Sequence, residues 1–179
     1  SLPSKFIFYP AQLRKHKNHI TILKALCLLR SQGIVIPIVL TGSSYSGSKE
    51  IFDFIKSHSL NNVYYLGVVP FEVLKILYKK CQFLITAVLY ESSSLPILEA
   101  AASGRPIVAS LTPPNFEMSQ ILKINLFPSL DAETLSNLIK EKWEDTSLDE
   151  INLNLKNIQN YSWNNVAQKY LSYFEKIVK

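Results

Sequence analysis

The chain has 179 residues, the size of one domain, able to bury roughly 70% of the surface its unfolded form exposes. With 47% apolar and 18% charged residues, it is neither disordered nor fibrous, and its apolar runs fall well short of the ~20 residues that cross a bilayer. Nineteen Lys and Arg against fourteen Asp and Glu give a net charge of +5, without the broad basic, aromatic-studded face of a nucleic-acid binder.

The basic excess gathers at Arg14, Lys15, Lys17 and Lys24, beside His16 and His19. Phosphate is the natural partner, and weak peripheral contact with anionic lipid headgroups fits the same charge. Cys27 and Cys81 lie in apolar contexts without metal-ligand spacing, so both read as reduced core thiols. The chain opens on Ser1 with no signal-peptide pattern and reads as a piece of a longer protein.

In chain order, Lys5 to Tyr9 reads as a buried strand ended by Pro10. Asn18 then caps a helix whose apolar positions Ile22, Leu23, Leu26 and Leu29 recur at helical spacing up to Gly33. "IVIPIVL" (34–40) is a second strand, followed by a Gly/Ser loop and a helix around "IFDFIKSH". "NVYYLG" is a third strand, Pro70 to Lys80 a helix, and "CQFLITAV" a fourth strand. A helix from about Leu95 to Ser103 stops at Gly104, "PIVAS" is the fifth strand, and "INLF" adds a sixth. From Asp131 the pattern is helical only. Leu135, Leu138, Ile139 and Trp143 form one stripe, and Trp163, Val166, Ala167, Tyr170, Leu171, Phe174 and Ile177 another. Both are expected to pack on the sheet.

Continuous rather than alternating apolar strands, each followed by a helix, predict a parallel sheet covered on both faces. The fold class is therefore a single-domain α/β, doubly wound, Rossmann-like sheet. Ligands of such sheets bind at the carboxyl ends of the strands. That directs attention to loops 10–18, 41–48, 67–70, 87–95 and 110–117.

The most informative loop is "YESSSLPILEAAASGRPIVAS" (90–110). Pro96 is acceptable in a helix only in the first turn, where its missing N–H has no partner, so the helix starts near Leu95. Its free amides and positive dipole end form an anion site suited to phosphate. Glu91 precedes this tip, and Glu99, one turn in, leans back toward it. Carboxylates accept hydrogen bonds from hydroxyls. The ligand so bracketed has phosphate in the middle and hydroxylated rings at both ends, the form of a nucleotide-sugar. "GSSYSGSK" (42–49) mimics a phosphate loop, but its Lys comes one residue late, so the loop reads as a turn bordering the nucleotide base. No G-x-G-x-x-G follows a strand, and there is no nucleophile elbow or His/Cys metal cluster.

Glu91-x7-Glu99 followed by "AAASGRPIVAS" resembles the E-x7-E signature of family-four retaining glycosyltransferases, which have the two-domain GT-B architecture. The resemblance extends to "FIFYPAQLRKHKNHITILKAL", "GVVPFEVLKILYKKCQFLITAVLYE", "LFPSLDAETLSNLI" and "YSWNNVAQKYLSYFEKI". It implies that residues 1–179 form the carboxyl-terminal, donor-binding half, the acceptor-binding amino-terminal half lying outside the chain. It further implies that Glu99 holds the ribose hydroxyls and Glu91 faces the donor sugar. The amides of Ser93, Ser94 and Leu95 approach the sugar and diphosphate, Lys17 neutralises the diphosphate, and Gln12, Arg14, Gly42 and Val69 border the donor. No metal or cofactor is needed. The acceptor is a glycan or lipid-linked sugar, the setting bacterial surface polysaccharide synthesis at the cytoplasmic membrane face, and the isolated half is expected to bind donor and transfer little.

Two departures qualify the resemblance. Ser92-Ser93-Ser94 stands where the family has Gly-x-Gly, so any positive φ there is expected to be strained. Gln12 stands where the family has Arg, five residues before Lys17, and Arg14 is the candidate to compensate. A non-catalytic Rossmann-like nucleotide-binding module is the alternative. Plain readings also stand for each residue: Glu99 as a dipole-stabilising helix carboxylate, Glu91 as a surface loop residue, Lys17 as a solvated charge, and His16, His19 and His58 as surface or capping groups.

Overall fold

The computed structural model describes residues 2–45, 47–144 and 148–177. Six short strands carry the apolar runs: β1 (Ile7–Pro10), β2 (Ile38–Thr41), β3 (Val63–Tyr65), β4 (Phe83–Thr86), β5 (Ile107–Ser110) and β6 (Asn125–Phe127). All pair in parallel, in the order β3-β2-β1-β4-β5-β6. Phe8 on β1 faces Val39 on one side and Leu84 on the other.

Alternation along each strand divides the core into two layers. Ile7 and Tyr9 point to one face, where Ile22, Leu26, Leu135 and Ile139 of α1 (His19–Ser31) and α6 (Ala132–Glu144) cover them. Phe6 and Phe8 point to the other, under Leu77, Tyr78, Ile97 and Ala100 of α3 (Phe71–Lys80) and α4 (Leu95–Ala102). A further cluster of Leu13, Leu23, Ile51 and Leu60 seats α2 (Ser48–Ser57). Both faces are thus filled, as the continuous apolar strands require.

Chain order runs outward from β1 to β3 and then returns to place β4 against β1. The carboxyl ends of β1 and β4 therefore flank a switch point, where neighbouring loops diverge and leave a crevice.

Four expectations need correction. The second strand is confined to Ile38–Thr41, because Pro37 has no N–H to give a ladder; only its carbonyl serves, accepting from the Ile7 amide at 2.9 Å. The loop expected over 110–117 contains α5 (Pro113–Ser119), for which Thr112 is the cap and Pro113 the preset first residue. Cys27 is half-buried, and only Cys81 is a core thiol.

The largest difference is α8 (Trp163–Ile177), none of whose residues is buried. Its apolar stripe does not pack on the sheet. The place near α4 is taken by α7 (Leu148–Ile158), whose Ile151 and Leu155 lie against Gly104. Asn154 of α7 is fully buried, donating to the Lys123 carbonyl and accepting from the Lys123 amide. α7 is so fixed on the α4 side of the domain, and α8 follows it with its stripe exposed.

Candidate functional site

The loop after β1 is held close to the loop after β2. Ala11 N–H donates to the Thr41 carbonyl and Leu13 N–H to that of Ser43, both at 2.9 Å. Gly42, at φ +127°, makes this approach possible, since a Cβ there would lie 2.5 Å from the Ala11 carbonyl oxygen. Lys15–Lys17 then form a 3-10 turn ended by Asn18 at φ 51°, a conformation Asn tolerates better than most residues. Asn18 precedes α1 as expected but its side chain does not cap the helix. It donates instead to the Ser129 carbonyl and accepts from the Thr21 hydroxyl.

The loops after β1 and β4 are joined across the switch point. Leu89 N–H donates to the His16 carbonyl at 2.8 Å, and the His16 ring stacks on Tyr90 at 5.1 Å. Tyr9 donates its hydroxyl to the Lys17 carbonyl at 2.6 Å. Lys17 Nζ, thus anchored, donates to Glu91 Oε2 at 2.8 Å, in a pair whose side chains are only 21% and 12% exposed. Glu91 Oε1 is buried and accepts no hydrogen bond, and the buried Ser94 hydroxyl also has no partner.

The α4 tip begins at Leu95 with Pro96 in the first turn and no side-chain cap. Ser94 has φ −113°, and among the described non-glycine residues only Asn18 and Ser59 have positive φ. No positive φ occurs at the three serines, so the strain that such a φ would bring is absent, and Ser94 is extended. Further along α4, Glu99 Oε2 accepts from the Tyr78 hydroxyl at 2.5 Å.

The site residues thus fall into three groups. Lys17 meets Glu91 of the loop that runs through the exposed Ser93 and the buried Ser94 to the exposed Leu95. Glu99 stands with Tyr78, a residue the sequence reading missed; a tyrosine on the apolar face of a helix needs an acceptor for its hydroxyl, and that was the available signal. Gln12 and Arg14 bind each other at 2.9 Å, and the Arg14 guanidinium lies 3.9 Å over the Tyr45 ring. Arg14 therefore does not join Lys17. Gly42 shapes the β1 loop, while Val69 is half-buried against the α3–α4 side of the core.

A cleft of about 470 Å³ between the first turns of α1 and α2 is lined by Arg14, Lys15, His19, Lys24 and Glu50, but by neither Glu91 nor Glu99. His19 is not the surface group expected. It is 2% exposed and tilted over Tyr9 at 4.7 Å, with neither ring nitrogen bonded. Burial first, and the Lys17 charge second, push its pKa down to about 3. Among the described residues, no group of three His, Cys, Asp or Glu is placed to hold a metal ion. No helix of theirs is long and apolar enough to cross a membrane.

The sheet order defines a doubly wound, Rossmann-like class of domain, and the solved structures narrow it. Anabaena HepE in complex with UDP shares 22% identity with a TM-score of 0.80 over 97% of this chain and 49% of its own. A glycosyltransferase from Rickettsia africae shares 18% with a TM-score of 0.84, over 99% of this chain and 48% of its own. The catalytic domain of the cholesterol-α-glucosyltransferase of Helicobacter pylori shares 22% with a TM-score of 0.75, over 89% of this chain and 100% of its own. The fold is that of the carboxyl-terminal Rossmann-like domain of GT-B glycosyltransferases, and the chain spans about half the length of the first two of these proteins. Curated proteins yield no match. The family described as glycosyl transferases group 1 matches residues 2–158, and the chain belongs to that family.

Proposed function

We propose that the chain is the donor-binding domain of a retaining glycosyltransferase that moves a sugar, a hexose in type, from a nucleoside-diphosphate sugar to a glycan or lipid-linked acceptor. The observation that carries this reading is the Lys17–Glu91 pair at the uncapped α4 tip, with Glu91 Oε1 buried and partnerless. A buried carboxylate oxygen without a donor costs free energy that a ligand hydroxyl recovers. The α4 amides and Lys17 suit a diphosphate, and Glu99 suits ribose. HepE, the structural relative, was solved with UDP and with UDP and glucose, which makes UDP-sugars the first donors to test.

In this mechanism the leaving diphosphate gains negative charge as the anomeric carbon gains positive charge. Preorganised amides and the Lys17 ammonium oppose the first without reorganisation, and the Glu91 carboxylate lies on the side of the second. No metal enters the scheme. The acceptor is delivered by an amino-terminal domain of the full protein, and closure of the two excludes water. The rim fits such a partner: each loop after β2 to β6 exposes a large apolar residue, namely Tyr45, Val68, Tyr90, Leu111 and Leu130. We further propose a bacterial, cytoplasmic setting in polysaccharide synthesis, with peripheral contact at the inner membrane face.

A non-catalytic nucleotide-binding module is the second reading, favoured by Gln12, which stands where the family has Arg and is bound to Arg14. Calorimetry with UDP, GDP and ADP tests both. Binding of one of them is expected, weakened about tenfold or more by Lys17→Met through loss of a charged contact. If none binds at millimolar concentration, the donor reading fails. If the nucleotide binds but the full-length protein transfers no sugar from any donor, the second reading replaces the first.

A further inference from the structure

Glu99 is the carboxylate assigned to ribose in the reading above, and one of its two oxygens is already occupied. Tyr78 donates to Oε2 at 2.5 Å, and among the described residues Oε1 accepts no hydrogen bond. Tyr78 lies on the buried face of α3, 3% exposed, its ring edge-on to Phe8 of the central strand β1 at 5.0 Å and 84°. The hydroxyl therefore inherits the rigidity of the sheet.

A glutamate has three rotatable bonds, and a half-exposed one samples many orientations unless something holds it. A phenol bound to one oxygen fixes the plane of the carboxylate and leaves the other oxygen for a ligand. Burial raises the Tyr78 pKa well above its ordinary value, with the Glu99 hydrogen bond adding to the effect. The phenol thus keeps its proton and stays a donor to Oε2, leaving Oε1 to accept from the ribose hydroxyls.

We propose that Tyr78 is a positioning residue that holds Glu99 so that Oε1 receives the 2′- and 3′-hydroxyls of the donor nucleotide, giving the domain its preference for ribose over deoxyribose nucleotides. This rests on the assignment of Glu99 to ribose. It concerns how that carboxylate is aimed, which neither the family signature nor the Glu91 pair addresses.

Calorimetry with UDP and 2′,3′-dideoxy-UDP on wild type, Tyr78→Phe and Glu99→Gln tests it, using GDP or ADP and their dideoxy forms if wild type prefers those bases. Wild type is expected to bind the ribonucleotide about tenfold or more tighter than the dideoxy form, Glu99→Gln to abolish most of that ratio, and Tyr78→Phe to reduce it about threefold to tenfold with dideoxy binding unchanged. Phenylalanine keeps the packing on Phe8, so the variant is expected to fold; if it does not, Tyr78→Leu, which fills the buried position without a hydroxyl and leaves Glu99 in place, supplies the same comparison. Equal weakening of both nucleotides by Tyr78→Phe, or no weakening, overturns the proposal and leaves Tyr78 a packing residue. Wild-type binding without ribose discrimination removes Glu99 and Tyr78 from recognition but leaves the phosphate site standing. Absence of any nucleotide binding defeats the donor reading itself.

Discussion

His19 shows how one side chain links fold and solvent. It is neutral in the fold, where its pKa is about 3, and titrates near 6.5 when unfolded. A depressed folded pKa means that its contribution is fully present above about pH 6.5 and is lost as pH falls toward 3, because only the unfolded chain then takes up the proton. Urea unfolding is expected to show stability declining from about pH 6.5 downward, by up to about 5 kcal/mol over the whole range. His19→Phe, which keeps the stack on Tyr9, should flatten this slope above about pH 5, where few carboxylates titrate. An unchanged slope would place the acid sensitivity elsewhere. From the sequence, His19 beside Lys15 and Lys17 read as surface; the left-handed turn at Asn18 rotates it inward over Tyr9 instead.

Among the elements, α4 was legible to the residue at its start, because Pro96 permits few registers and Gly104, at φ +63°, ends it. Two glycines now separate by cost. Gly104→Ala places a Cβ 3.5 Å from Ile151 and Leu155, an ordinary contact, so only the φ penalty of about 1 kcal/mol is expected. Gly42→Ala drives a Cβ into the Ala11 backbone at 2.5 Å, so the loop carrying Gln12 must move. A loss of more than about 2 kcal/mol is expected, with weaker nucleotide binding besides. Thermal melting with and without nucleotide checks both; similar melting points for the two variants would contradict the close approach. The α5 helix was missed although Thr112-Pro113 is a start signal, because seven residues offer too little periodicity to read.

At the scale of the molecule, the uncovered surfaces are as informative as the covered ones. The stripe of α8 leaves Trp163 86% and Ile177 77% exposed, and the rim above the strands carries further apolar residues. Tyr170→Asp with Phe174→Asp is therefore expected to leave the stability of this chain within about 0.5 kcal/mol of wild type, as substitutions at exposed positions do. It should also reduce any self-association seen by sedimentation. A large loss of stability would mean that α8 packs on the domain after all.

By itself the sequence determined the sheet, the alternation of strands and helices, and the E-x7-E helix, because burial on both faces writes continuous apolar runs and a proline restricts helix register. The tertiary structure decided which polar atoms meet. Lys17 and Glu91 are 74 residues apart and Tyr78 and Glu99 are 21 apart, and strand order alone brings the first pair together at the switch point. It also decided that the α8 stripe stays uncovered, because periodicity records that a helix face is apolar and not whether any sheet surface remains to receive it.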